Sequence, residues 1–307
     1  MPIIDLSRKS WQFITLLILS IIWGSSFILI KKSLIGFTPV ELASMRMFLA
    51  FLALLPIILL NIRKLPREKW YWLAIAGLFG NGIPSFLFAI AQTNLSSSIA
   101  GFTNSTTPLF TLLIGSLFFG VFTNRSAYAG VLTGLAGAGF LMLSSGMQGD
   151  GSSYFYWFVA LAGSVCYSVS TNVIKKHLQN LNAALVTSFA FMFVGPPMLI
   201  YLMANHTFQK AFSSPENITA FIYIFILAIV GTALAVLVFN YLIKHTTALF
   251  ASSVTYLIPV VALFWGIIDD EPVYAIQLIG LAGIFIGIYL INASSVNNRL
   301  KEMRTRK

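Results

Sequence analysis

The amino-acid sequence predicts an all-α integral membrane protein in which ten transmembrane helices form two inverted five-helix repeats. Three observations point there. Of the 307 residues, 58% are hydrophobic and 9% charged, with a mean hydropathy of +0.86, whereas a domain facing water carries about 25% charged residues. Apolar stretches long enough to cross a bilayer recur ten times. Landmarks of the first half also reappear, in the same order, in the second. The composition excludes a cytosolic enzyme, a disordered protein and a receptor with a large ectodomain. At about 20 residues per span, ten spans use about 200 residues and leave only short connections. The single cysteine, Cys166, excludes a disulfide scaffold.

The spans fall at 11–30, 39–60, 70–92, 97–119, 126–145, 154–174, 183–204, 218–243, 247–268 and 273–293. Their apolar residues run without alternation, which excludes a β-barrel, and lipid leaves the backbone no partner outside a helix. The first stretch exceeds a signal core and has no small-x-small pattern before Lys31 and Lys32, so it is a span. The second carries Arg46, the one charge well inside a span, and the third carries Asn81 and Gln92. In the fourth, Thr103, Asn104 and Thr107 precede Pro108; in the fifth, Gly130, Gly134 and Gly137 form a small-residue seam. Tyr167 and Asn172 mark the sixth and Asn240 the eighth, while the seventh rests on its hydropathy. In the ninth, Ser252, Ser253, Thr255 and Tyr256 precede Pro259, and Asp269-Asp270-Glu271 is expected as a solvated turn at its end. Pro272 starts the tenth, which carries Gly280, Gly283 and Gly287.

Charge bias sets the orientation. With a cytoplasmic N-terminus, fifteen basic residues lie inside: Arg8, Lys9, Arg63, Lys64, Arg67, Lys69, Arg125, Lys175, Lys176, Lys244, Arg299, Lys301, Arg304, Arg306 and Lys307. Three lie outside: Lys31, Lys32 and Lys210. Both termini are therefore expected in the cytoplasm. The net charge of +10 reads as topology, and the tail 297–307 as an anchor at an anionic leaflet rather than a nucleic-acid contact.

The internal duplication is collinear. Pro108 and Gly115 lie 151 residues before Pro259 and Gly266, and Gly130 and Gly137 lie 150 before Gly280 and Gly287. Ser26, Ile30, Lys31 and Lys32 match Ser170, Ile174, Lys175 and Lys176. The expected units are 1–148 and 149–296. Each holds five spans, an odd number, so the second copy enters the bilayer upside down, as in alternating-access carriers. A channel can share that symmetry.

Trp23-Gly24-Ser25-Ser26, Arg46, the Pro-x6-Gly of spans four and nine, and Pro259-x6-Gly266-x4-Glu271 followed by Gly280-x6-Gly287 resemble the EamA family of the drug/metabolite transporter superfamily. The resemblance covers nearly the whole chain. It implies efflux of amino acids or other small metabolites across an inner membrane. The family's glutamate after the fourth span has no counterpart here, since no acid lies between Pro108 and Gly130.

The candidate solute-binding residues are Trp23, Ser26, Asn81, Asn104, Thr107, Tyr167, Asn240 and Tyr256, with Glu41 and Arg46 as gating or structural charges. Asn104 and Thr107 share a helix face, and the prolines free carbonyls in the preceding turn. Helix–helix glue is the alternative for each polar residue taken singly. Arg46 reads either as an anion contact or gate, with Glu41, or as an arginine that locks the second helix. The acids sit at span edges (Glu41, Asp150, Glu216, Asp269, Asp270 and Glu271), so downhill movement is preferred to proton coupling, which edge groups or His245 would have to serve. His177, His206 and His245 lie apart, and no catalytic, phosphate-binding or metal-ligand spacing occurs. No cofactor, metal or enzymatic activity is expected. The glycine seams suit scaffold helices or a homodimer contact. Asn205-His-Thr and Asn217-Ile-Thr fit glycosylation sequons. The alternatives to an amino-acid exporter are a nucleobase or sugar-nucleotide carrier, a lipid-acting enzyme using Asp269-Asp270-Glu271, and an assembly protein.

Overall fold

Pro108, Pro259 and two glycine-bearing π segments mark breaks in the helices of this chain, and these breaks border its cavity. A computed structural model describes residues 6, 8–65, 67–121, 125–146, 153–246 and 248–305. Asp150 and the side chains of Lys64, Arg125, Ser252, Ser253 and the basic tail lie outside the described residues.

The described secondary structure is helical throughout. The chain runs through α1 (Lys9–Ser33), α2 (Pro39–Asn61) and α3 (Trp70–Gly77), then a π-helical segment (Leu78–Gly82) into α4 (Ile83–Ala91). The first half ends with α5 (Ser97–Asn104), α6 (Thr107–Phe118) and α7 (Arg125–Gly146). The second comprises α8 (Ser153–His177), α9 (Ala183–Ala204), the short α10 (Thr207–Ala211) and α11 (Pro215–Ala228). A second π segment (Ile229–Leu234) leads into α12 (Ala235–His245), followed by α13 (Ala248–Ser252), α14 (Ile258–Ile268) and α15 (Ala275–Thr305). Six helical runs are long and apolar enough to cross a membrane, and three shorter apolar helices accompany them.

Two stretches expected as single helices are broken. The fourth splits into α5 and α6, and the ninth into α13, a 3-10 turn at Ser253–Tyr256 and α14. Pro108 and Pro259 sit in the first turn of α6 and of α14, where a missing N–H costs nothing but the ring crowds the turn before it. The tail expected as a separate segment continues α15 as far as Thr305.

Related positions of the two halves touch each other reciprocally. The π segments begin at Leu78 and Ile229, again 151 residues apart. A Cβ on Gly80 would meet Ser170 Oγ at 2.4 Å, and one on Gly231 would meet Ser26 Oγ at 3.1 Å. Likewise Ser20 Oγ donates to the Val254 carbonyl (2.6 Å) and Ser164 Oγ to the Thr103 carbonyl (3.2 Å). The opening helix of each half thus lies on the broken helix of the other. Gly80→Ala is expected to lower the melting temperature of the purified protein, and a further Ser170→Gly change to restore most of the loss; no rescue would dismiss this contact.

The glycine seams face one another within one chain. A Cβ on Gly137 would stand 2.5 Å from the Gly280 carbonyl oxygen, and one on Gly287 2.4 Å from that of Gly130. Backbone lies on backbone, so α7 and α15 form a scaffold pair, and these glycines are not free for a dimer contact.

Candidate functional site

The breaks in the third, fourth, eighth and ninth stretches converge on one cavity. Seven of the eight residues expected to bind solute line it: Trp23, Ser26, Asn81, Asn104, Thr107, Tyr167 and Asn240. Arg46 lines it too. Tyr256 instead packs half-buried against the apolar cluster around Ile258 and Ala262. Sequence reading missed Gly80 and Gly231 in the π segments and named no individual phenylalanine, yet Phe27, Phe88 and Phe239 form the aromatic wall. The offset of 151 that relates the prolines also relates these two glycines, and that signal was present in the sequence.

The second π segment arms two cavity groups. A π turn displaces the regular ladder, so carbonyls become free for side chains. The Gly231 carbonyl accepts from Trp23 Nε1 at 2.9 Å, which holds the indole edge-on to Phe239, with ring centroids 4.9 Å apart. Thr232 Oγ1 donates to the Leu227 carbonyl at 2.9 Å and accepts from Arg46 Nε at 2.7 Å. Across the cavity Tyr167 stacks on Phe88 with centroids 5.9 Å apart. Asn240 Nδ2 donates to Thr187 Oγ1 (2.9 Å), and Thr107 Oγ1 donates to the Asn104 carbonyl (2.7 Å). Two other polar residues of the spans bond to main chain: Gln92 Nε2 donates to the Phe27 carbonyl and Asn172 Nδ2 to those of Thr111 and Ser168.

Arg46 is 8% exposed. Its partner is a hydroxyl, and no carboxylate among the described residues pairs with it. Glu41 is elsewhere. It completes a capping box with Thr38 at the start of α2 and pairs with Lys210 at 2.7 Å.

In the acidic turn after α14, Asp270 is exposed as expected and Asp269 partly so, but Glu271 is not. Glu271 is 7% exposed. Oε1 accepts from Lys31 Nζ, Ser97 N and Ser97 Oγ, and Oε2 from Ser98 N and Ser98 Oγ, at 2.7–3.1 Å. Burial alone would raise its pKa, but Lys31 and the Ser97 and Ser98 donors together hold it below the ordinary carboxylate value. Asp269 is lowered too, where Lys31 and Lys32 overcome the effect of burial. The carboxylate caps α5 and ties it to α1 and the α14–α15 turn. The three lysines that break the charge bias, Lys31, Lys32 and Lys210, are thus each ion-paired. Lys175 and Lys176, which match Lys31 and Lys32 in sequence, have no carboxylate partner among the described residues and donate to main-chain carbonyls, Lys175 to those of Ile243 and Thr246 and Lys176 to that of Phe119. At the position matching Glu271 stands Val121, whose side chain fills the space beside Gly115 as Glu271 does beside Gly266. Charge thus latches the place where α1, α5 and the α14–α15 turn meet.

Comparison with known proteins decides the family. The sequence profile of the EamA-like transporter family matches twice, over residues 10–143 and 155–293. The chain belongs to the EamA-like transporter family. It is 27% identical over 282 residues to the "Uncharacterized inner membrane transporter YedA" of Escherichia coli K12, covering 91% of this chain and 90% of that one. A "Probable amino-acid metabolite efflux pump" of Salmonella typhimurium is 23% identical, covering 93% and 95%. A crystal structure of another protein superposes with a TM-score of 0.66 at 18% identity, over 92% of this chain and 98% of that one, a likeness of fold. This EamA-like protein is therefore a multi-pass membrane transporter of a small-molecule solute. Among its described residues no group of three metal-ligating side chains occurs, and Asp269 and Glu271, which an interfacial enzyme would need, are held by lysines and serines.

Proposed function

We propose that this transporter exports amino acids or similar small organic solutes across an inner membrane, by alternating access between two inverted repeats, 1–148 and 149–296. The observation that carries the reading is the cavity itself, lined by amides, hydroxyls and aromatic rings contributed by related positions of both halves. The reciprocal Ser26–Gly231 and Ser170–Gly80 packing and the two family matches support the repeat. Name and identity of the Salmonella relative support efflux of an amino-acid metabolite. The charge bias supports cytoplasmic termini, which puts the ion-paired end outside. No aspartate or glutamate is among the lining residues, which supports downhill movement without a proton relay.

Alternating access requires one end to be shut while the other opens. In this reading Lys31–Glu271 and Glu41–Lys210 shut the outer end, and the carbonyl contacts of Lys175 and Lys176 hold the inner one. The test is counterflow in proteoliposomes. Vesicles of the purified chain preloaded with a metabolite mixture are expected to exchange labelled amino acids or related solutes faster than empty vesicles, with mass spectrometry identifying what leaves. No exchange by any solute of a broad mixture would refute the carrier.

A further inference from the structure

Resting on the carrier reading above, we propose that the cavity selects solutes with one net negative charge, taking their carboxylate between the Arg46 guanidinium and the Tyr167 hydroxyl. The zwitterion and the amine of the same skeleton are bound less well.

The argument begins with the charge inventory. Among the lining residues Arg46 is the one charged side chain; no aspartate, glutamate, lysine or histidine joins it. Its Nε–Thr232 bond is the one hydrogen bond its side chain makes among the described residues. That bond holds the guanidinium from one edge, because Thr232 is itself fixed to the Leu227 carbonyl. The two terminal nitrogens remain for a partner in the cavity. Tyr167, whose ring is stacked on Phe88, lines the same cavity.

A buried charge without a counter-charge is costly, and an arriving anion removes that cost. The planar fork of arginine matches a carboxylate in two parallel hydrogen bonds. A cavity carrying one positive charge is neutralised by a monoanion. A zwitterion brings in addition an ammonium that finds no carboxylate and stands near a like charge. Aromatic faces and amide oxygens compensate only part of that. A multiply charged phosphate would leave excess negative charge against one arginine. The aromatic side chains of Trp23, Phe27, Phe88 and Phe239 then receive the apolar part.

The experiment uses matched skeletons. Phenyllactate, phenylalanine and phenethylamine carry charges of minus one, zero and plus one on one ring; lactate, alanine and ethylamine repeat the series at small size. Each is tested in counterflow by proteoliposomes of the full chain, and by thermal shift in detergent. In the wild type the anion is expected to lead in at least one series. Arg46→Gln should lower exchange of that anion roughly thirtyfold or more while affecting the zwitterion less. Arg46→Lys should keep the order with weaker binding, and Tyr167→Phe should weaken the anion alone. Thr232→Val, which keeps the charge and removes its support, should narrow the preference without abolishing exchange. If Arg46→Gln does not give a monodisperse protein, the wild-type charge series and the lysine variant decide. Equal or better exchange of zwitterion or amine in the wild type overturns the proposal, as does an anion preference that survives in Arg46→Gln. If the metabolite mixture exchanges while neither anion does, this proposal falls and the carrier reading stands; if nothing exchanges, both fall.

Discussion

Gly287→Val is expected to abolish the folded protein, whereas Gly139→Ala, two residues past the facing seam in α7, is expected to be silent or slightly stabilising. At position 287 a Cβ would lie 2.4 Å from the Gly130 carbonyl oxygen, 2.6 Å from Gly134 N and 2.8 Å from Gly134 Cα. Those are main-chain atoms, so no rotamer change makes room; α15 must move away from α7. Overpacking of this kind costs about 1–3 kcal/mol where side chains can yield, and more where they cannot. Moving α15 away also undoes the contacts of Gly137 with Gly280 and Gly283, because one rigid helix carries all of them. In a membrane there is no hydrophobic drive to restore the pair, since lipid is as apolar as the seam. Around Gly139 nothing lies within 4 Å of a Cβ, and alanine is the better helix former by about 1 kcal/mol. Size-exclusion profiles and melting curves in detergent read both outcomes. A monodisperse Gly287→Val protein melting like the wild type would mean that the seam is not the support described above.

The same residues show what sequence alone can and cannot reach. Hydropathy placed the span edges closely: the stretch expected at 183–204 is α9, Ala183–Ala204, and that at 39–60 is α2, Pro39–Asn61. Seven cavity residues were legible because small polar groups in an otherwise apolar run have few reasons to be there. Tyr256 lies outside the cavity lining, at the end of a turn, Ser253–Tyr256, that is 3-10 and not the α-helix the spacing argument assumed. The π segments were hidden, since one extra residue per turn leaves hydropathy unchanged. Glu271 was read as solvated because its partners lie far away in sequence: Ser97 is 174 residues distant and Lys31 is 240. Local pattern cannot register a cap supplied by the other half of the chain. Arg46 was left between two readings for a related reason, since its fate depends on Thr232, 186 residues away.

The same long-range cap leads to the other large effect. Glu271→Ala is expected to destabilise the protein by about 3 kcal/mol, near the lower end for breaking a buried pair. It removes the acceptor for five donors, from Lys31, Ser97 and Ser98, and leaves two backbone N–H groups of α5 without their cap. Lys31→Ala should cost less, because that lysine is 35% exposed and water replaces part of what it loses, while the serines still hold the carboxylate. Glu271→Gln should fall between, keeping an acceptor but losing the charge. The three variants also differ with pH. The carboxyl of Glu271 is held below its ordinary value, so its contribution is complete above the unfolded carboxylate pKa of about 4.3 and disappears as pH falls through the lower folded value. Acidification should therefore lower the melting temperature of the wild type more steeply than that of Glu271→Gln, with the two curves converging at the acid end. Parallel curves would show that the lysine–carboxylate latch does not hold this end together. If the alanine variant is stable but exchanges solute faster in counterflow, the latch sets the rate at which the end opens rather than the stability of the fold. Loss of stability without faster exchange would make it a structural cap alone.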